Sequence, residues 1–524
     1  MDAERSAREP DVDGDAMVKS YYRYAEESAW GVIVSGGGQI VSDADGRHAL
    51  APALELVHVW NIKKGAVART LRSAGTRAEV TALELGSDGE TVAAGHSDGA
   101  LRLWSLSDGT ERVVLSGHRS AISSLRFSAD VATLASGGGD THLVLWDVVA
   151  ESGICRLRGH RDAVTDVALI GGSAAAASVS KDGALKLWDV QTQHCVQTAL
   201  APSGELWSVD VCEGRLLTGG AGGELLLWAL TERPLMRAAD GAGAPADGAS
   251  GGGGAPAQLS VVCAELIASI TTTSRSRAVR LRFGREGRCL GVQFADRTLQ
   301  LFAVEDEAGR RKRLRRREAK ARKRGAATGG AAGGAADADA ELDAAEEAAA
   351  ALQPLSGVRG SHKLHSFSFV PDGAGRAKVA AAADVRSVRL LVAQRNNCFG
   401  VWECEWRPKG AATLGRSIDV AGHRSEPRCI ALSADDRYAL TAGDGEARVW
   451  AVGSRQCVRS IACAGSFALC AAFVLGGRYL LLGTKGGALS LYAVATGECV
   501  FTEDAHAGAV WGLALEPGAR GVLS

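Results

Sequence analysis

Residues 117–190 contain one pattern twice. Gly-His opens each copy, at Gly117 and His118 and again at Gly159 and His160. Trp-Asp closes each, at Trp146 and Asp147 and at Trp188 and Asp189. His to Trp is 28 positions in both copies, and the two Trp stand 42 apart. Between the landmarks, short apolar runs alternate with turn residues. Residues 121–127, 132–136 and 142–146 read as strands, parted by turns at 128–130 and 137–140. No helical period of useful length competes. A repeat of about 40 residues with these landmarks is the signature of a β-propeller blade. One blade cannot bury both of its faces, so the unit implies stacked neighbours.

The polar residues of the repeat form matched sets. His118, Ser136, Asp140 and Trp146 recur as His160, Ser178, Asp182 and Trp188 at the same offsets. Ser, His and Asp together invite a hydrolase reading. A catalytic triad occurs once, however, whereas a repeated set is expected where buried polar groups satisfy one another. Each set is therefore read as one structural hydrogen-bond chain.

With this unit as a ruler the chain divides into blades. A polar tail occupies 1–16, and 21–41 reads as a strand pair with 30–34 its clearest part and a turn at 36–38. Successive blades end at Trp60, Trp104, Trp146, Trp188, Trp228, Phe302 and Trp402. Asp98 stands in the acidic position of the second blade, and Gly222 replaces it in the fifth. Strands are predicted at 278–283, 290–294, 298–303, 366–369, 379–383, 388–393 and 399–402. Two insertions, 238–257 and 305–355, are too poor in apolar surface to order themselves and read as flexible. Seven blades is a common closure number, which predicts a first propeller over 17–410. The pattern restarts at Gly422 and His423, with Asp444 six before Trp450, and a further copy ends at Tyr492. Residues 411–524 thus read as the start of a second, incomplete propeller. The expected class is all-β: tandem propellers, the first seven-bladed.

Composition narrows the function. The net charge of −1 excludes a polycation, so nucleic-acid contact must come from local patches. The 12 Cys include no Cys-x-x-Cys pair and read as small buried hydrophobes of an intracellular protein. No stretch of about 20 uncharged apolar residues predicts a membrane span. The N-terminus resembles neither a signal nor a transit peptide.

One segment departs sharply from this balance. Residues 310–324 hold 11 Lys or Arg in 15 positions: Arg310, Arg311, Lys312, Arg313, Arg315, Arg316, Arg317, Lys320, Arg322, Lys323 and Arg324. Charge this dense points to nuclear targeting or RNA contact. Arg275, Arg277, Arg280 and Arg282 alternate along a strand entry and read as an exposed face. His362 and His365 have metal-pair spacing but no further ligand nearby, and read as surface residues. Catalytic, cofactor and metal sites are not expected.

The motifs VSGGGQI at 34–40, ESGICRLRGHRDAVTDVAL at 151–169 and WDVQTQHC at 188–195 closely resemble the WD-repeat UTP-B subunits of the small-subunit processome, a U3 small nucleolar RNA-associated family. The likeness covers most of 17–524, including the basic interruption and the restart at Gly422. It implies two tandem propellers followed by a helical domain, which this sequence lacks. It also implies a non-catalytic scaffold in 18S rRNA maturation, located in the nucleus and nucleolus. The implied partners are other UTP-B subunits, processome proteins, U3 snoRNA and pre-rRNA, with no membrane and no small-molecule substrate. A generic propeller adaptor, such as a ubiquitin-ligase substrate receptor, is the alternative. Such receptors often carry Arg two positions after the Trp-Asp, where this chain has Val149 and Gln191.

Overall fold

In the computed structural model the repeat at 117–190 folds into two four-stranded antiparallel sheets. Ile122–Phe127, Thr133–Gly138, Leu143–Asp147 and Ser152–Leu157 make the third blade. Val164–Ile170, Ala175–Ser180, Ala184–Asp189 and His194–Leu200 make the fourth. The structure describes residues 29–73, 77–172, 174–212, 214–234, 260–284, 287–304, 315, 352–371, 387–419, 422–516 and 521–524.

Seven such sheets follow one another, each running from an inner to an outer strand. Their innermost strands are Val41–Ser42, Val80–Leu85, Ile122–Phe127, Val164–Ile170, Leu206–Cys212, Ala278–Gly284 and Leu364–Phe369. Every interface between neighbouring blades has its own apolar core. The seventh of these closes the ring. Ala49, Ala51 and Trp60 of blade one pack on Leu391, Ala393 and Phe399 of blade seven, with Ile33, Val34 and Ile40 between them. Trp60 and Phe399 meet edge to face at 6.0 Å. Blade faces that would be exposed in isolation are thus all covered, which is why the repeat needs its neighbours.

Two local devices recur. The register between third and fourth strands shifts at the aromatic landmark, as at Trp60, Trp146, Trp188 and Trp402 and likewise at Phe302. Such a bulge adds twist and turns the indole inward. In blades two, three and four a hydroxyl at the second position of the inner strand, on Thr81, Ser123 and Thr165, stitches the blade to the next. Thr81 Oγ1 donates to the Ile122 carbonyl at 2.7 Å, and Thr165 Oγ1 to that of Leu206 at 2.8 Å.

Beyond the ring, Cys429–Leu432, Tyr438–Ala442, Asp444–Ala451 and the first part of Gln456–Val474 form an eighth blade. The second part of that long strand opens a ninth, with Tyr479–Thr484, Ala488–Ala493 and Cys499–Asp504. Ala514–Leu515 then pairs with Val522–Leu523.

The structure moves several predicted boundaries. The fourth strand of blade six is Leu352–Arg359, so the end of the second predicted insertion belongs to the sheet. Ala412–Ile418 is the outer strand of blade seven and carries the first propeller past 410. No strand covers residues 30–34: the sheet starts at Val41, because the amides of Ile33 and Val34 donate to a side chain, Asn397 Oδ1, instead of to a strand partner. The tail at 1–16, the insertion at 238–257 and the strand predicted at 379–383 lie outside the described residues.

Candidate functional site

In the third blade His118 Nδ1 lies 2.9 Å from Asp140, and its Nε2 lies 2.8 Å from Ser136 Oγ. Trp146 Nε1 donates to the same Ser136 oxygen at 2.8 Å. The fourth blade repeats this with His160, Asp182, Ser178 and Trp188 at 3.0, 2.7 and 2.8 Å. The connectivity is that of a Ser-His-Asp triad, but the chemistry is not available. Ser136 and Ser178 are fully buried, and each hydroxyl oxygen already accepts from an indole N–H. No substrate carbonyl can approach such an oxygen.

Burial holds both imidazoles below the usual histidine range, although their aspartates pull the other way. Burial opposes ionisation of Asp140 and Asp182 too. The backbone N–H groups of Arg119 and Arg161 and the ring N–H groups nonetheless keep both carboxyls below the usual range. The proton order is therefore fixed: Trp N–H to Ser, Ser O–H to His Nε2, His Nδ1–H to Asp. Glycine before the histidine has a steric reason, since a Cβ on Gly117 would sit 2.5 Å from Trp146 Cη2.

The eighth blade holds a third set, differently composed. His423 Nδ1 lies 2.9 Å from Glu446, His423 Nε2 lies 2.6 Å from Thr441 Oγ1, and Trp450 Nε1 donates to Thr441 at 2.7 Å. Asp444, expected as the acid, is exposed and makes no such bond. The hairpin here is one residue shorter than in blade three, which moves the acid onto the strand, and only the longer glutamate reaches back to the imidazole. In the second blade Asp98 accepts from the amide of Ala100 without reaching a histidine, and Trp104 Nε1 has no partner among the described residues. The fifth keeps only Trp228 donating to Thr218 at 3.1 Å.

The ring's central channel is charged. Arg126 of blade three reaches Glu84 of blade two at 3.4 Å and Asp210 of blade five at 3.3 Å. Arg282 of blade six reaches Asp166 of blade four at 3.0 Å. Pairs that skip a blade can meet only across the channel. Burial opposes the charge on Arg126, yet the Asp210 and Glu84 carboxylates hold it firmly protonated. Asp166 ionises against its own burial because Arg282 and Arg126 stand beside it.

These pairs correct the exposed-face reading for two of the four alternating arginines. Arg280 and Arg282 sit on an innermost strand and are half-buried, whereas Arg275 and Arg277 are exposed, Arg277 stacking 4.1 Å over the Trp207 ring. His365 is no surface residue either. Its Nε2–H donates to the Gly38 carbonyl at 2.6 Å, and burial lowers its pKa to about 4. His362 is exposed, and among the described residues no group of three His, Cys, Asp or Glu could hold a metal ion.

The ring and the eighth blade are joined through Asn397, which the sequence reading passed over. Its Oδ1 accepts from the amides of Ile33 and Val34 at 2.7 and 3.2 Å. Its Nδ2 donates to the carbonyls of Gly31 and His423 at 2.7 and 3.0 Å. Of the basic run, Arg315 is exposed and the other ten cations lie outside the described residues.

Known proteins match parts of this sequence. Residues 47–230 match the family model described as the WDR3 first beta-propeller domain, and residues 415–451 match the WD domain, G-beta repeat. WD repeat-containing protein 3 of Homo sapiens is 31% identical over 49% of this chain and 26% of its own length. U3 small nucleolar RNA-associated protein 12 of Saccharomyces cerevisiae is 27% identical over 95% of this chain and 51% of its own. The Dictyostelium discoideum homologue of WD repeat-containing protein 3 is 30% identical over 31% of this chain and 18% of its own. The chain thus spans about half the length, or less, of the curated relatives it matches. Neither matching model describes a catalytic domain. Fold, repeat landmarks and these matches agree: over residues 47–230 the chain is similar to the WDR3 first beta-propeller domain, and over 95% of its length to a U3 small nucleolar RNA-associated protein.

Proposed function

We propose that the chain is a non-catalytic scaffold of small ribosomal subunit assembly. It acts with the U3 snoRNP in the nucleolus and docks pre-rRNA, U3 snoRNA and other processome proteins, UTP-B subunits among them. The observation that carries this reading is the similarity over 95% of the chain to a U3 small nucleolar RNA-associated protein. The site chemistry supports it. The polar sets spend every serine and histidine on the fold, and the channel carboxylates are committed to arginines. In this reading residues 310–324 serve nuclear entry, RNA phosphate contact or both.

Crosslinking in the host cell, with imaging of the tagged chain, tests the proposal. Nucleolar signal and crosslinks to U3 or to the 5′ part of the pre-rRNA are expected. A diffuse cytoplasmic protein without RNA would sink it.

A further inference from the structure

Where blades six, seven and eight meet, their loops line an open cleft of about 490 Å³. Four cations enter it from three successive blades: Arg297, Lys363 and Arg395 together, and Arg424. Glu426 is the one carboxylate in the lining, and it is drawn to Arg428 at 3.2 Å. Arg297 donates to the Ser361 carbonyl at 2.9 Å, and Arg424 pairs with Asp419. Among the described residues no carboxylate pairs with Lys363 or Arg395, and both are exposed. His362 adds an imidazole, whose Nδ1 accepts from Asn396 Nδ2 at 3.1 Å and whose Nε2 is left facing the cleft as a donor. The near-buried Asn396 is fixed in turn by Cys398 Sγ, which donates to its Oδ1 at 2.9 Å.

We propose that this cleft is a binding site for the sugar-phosphate backbone of single-stranded RNA. The proposal rests on the RNA-docking reading above and supplies it with a place. The cations follow a rim instead of converging on a point, which suits a ligand with charge repeated along its length. An acidic peptide strand would need free backbone groups to pair with. Here the carbonyls of Arg297 and Lys363 already accept from the amides of Gly360 and Arg395 at 2.8 and 2.9 Å. What the cleft does offer is side-chain donors beside an exposed imidazole ring, the groups that hold phosphates and stack on splayed bases.

The test is fluorescence anisotropy of the whole chain with a labelled oligouridylate of about 20 nucleotides, at salt from about 50 to 200 mM. Lys363→Glu combined with Arg395→Glu is expected to weaken binding at least about tenfold and to reduce the salt slope by about 1.4. Unchanged affinity and slope would overturn the cleft site while leaving RNA docking intact, with residues 310–324 then carrying the contact. A wild-type chain that binds no RNA even at low salt overturns both readings. Tighter capture of polyglutamate than of RNA overturns the choice of ligand. The double variant must melt like the wild type; if it does not, Lys363→Gln with Arg395→Gln replaces it under the same criteria.

Discussion

The side-chain amide of Asn397 donates to the carbonyl of His423 across 3.0 Å, so one residue of the closed ring holds the start of the eighth blade. The same side chain grips the segment before the first strand through Gly31, Ile33 and Val34. Its backbone is left-handed, with φ of 55°, which asparagine tolerates better than most residues. Trp450 packs close beside Gly31, whose φ of +71° and lack of a Cβ leave room for the indole.

Asn397→Ala is therefore expected to cost about 2–4 kcal/mol, since four bonds are lost and buried backbone groups are stranded. Limited proteolysis under native conditions should show blades eight and nine cut sooner than the ring. An unchanged digestion pattern would contradict the role of Asn397 as the joint.

The acid of the eighth blade separates the sequence pattern from the structure. Glu446→Ala is expected to destabilise by about 1–3 kcal/mol, as is Asp182→Ala in the fourth blade, because each strands a buried imidazole and a backbone N–H. Asp444→Ala, at the position the repeat spacing selects, should stay within about 0.5 kcal/mol. Chemical denaturation of the three variants compares them directly.

Acid should unfold the chain in two overlapping stages. Burial depresses His365 from 6.5 to about 4, so as pH falls through 6.5 the unfolded chain takes up a proton that the folded one refuses. Stability is lost over that window. Partial burial opposes the charge on Glu446, yet hydrogen bonds from His423 and the Arg424 amide hold it at about 2, down from 4.5. Its contribution is present above 4.5 and is lost as pH drops toward 2. His365→Gln should flatten the upper part of the denaturation-midpoint profile and Glu446→Gln the lower.

In the channel, Arg126→Ala leaves the half-buried Glu84 and Asp210 without their cation and should cost about 2–4 kcal/mol. Arg277→Ala removes only a contact over Trp207 and should cost about 0.5–1 kcal/mol. Similar losses in the two variants, measured by thermal melting, would mean that the channel pairs are solvated.

The blades were legible in the sequence because each is a local unit whose landmarks contact one another within about 40 residues. Gly117 needs Trp146, and Ser136 needs both Trp146 and His118. What the sequence hid lies between blades. Arg126 and Asp210 are 84 positions apart, and Ile33 and Asn397 are 364 apart. No periodicity links such residues. The alternation of Arg280 and Arg282 was visible, but that their strand lines a channel follows only from ring closure. Glu446 was missed for another reason: a hairpin shortened by one residue breaks the spacing rule while preserving the chemistry.

The central claim is that the chain serves small-subunit assembly, and its depletion tests this most directly. Pulse labelling of rRNA after conditional depletion in the host cell should show new 18S rRNA falling while large-subunit rRNA continues to mature. Undiminished 18S synthesis in depleted cells would contradict the account.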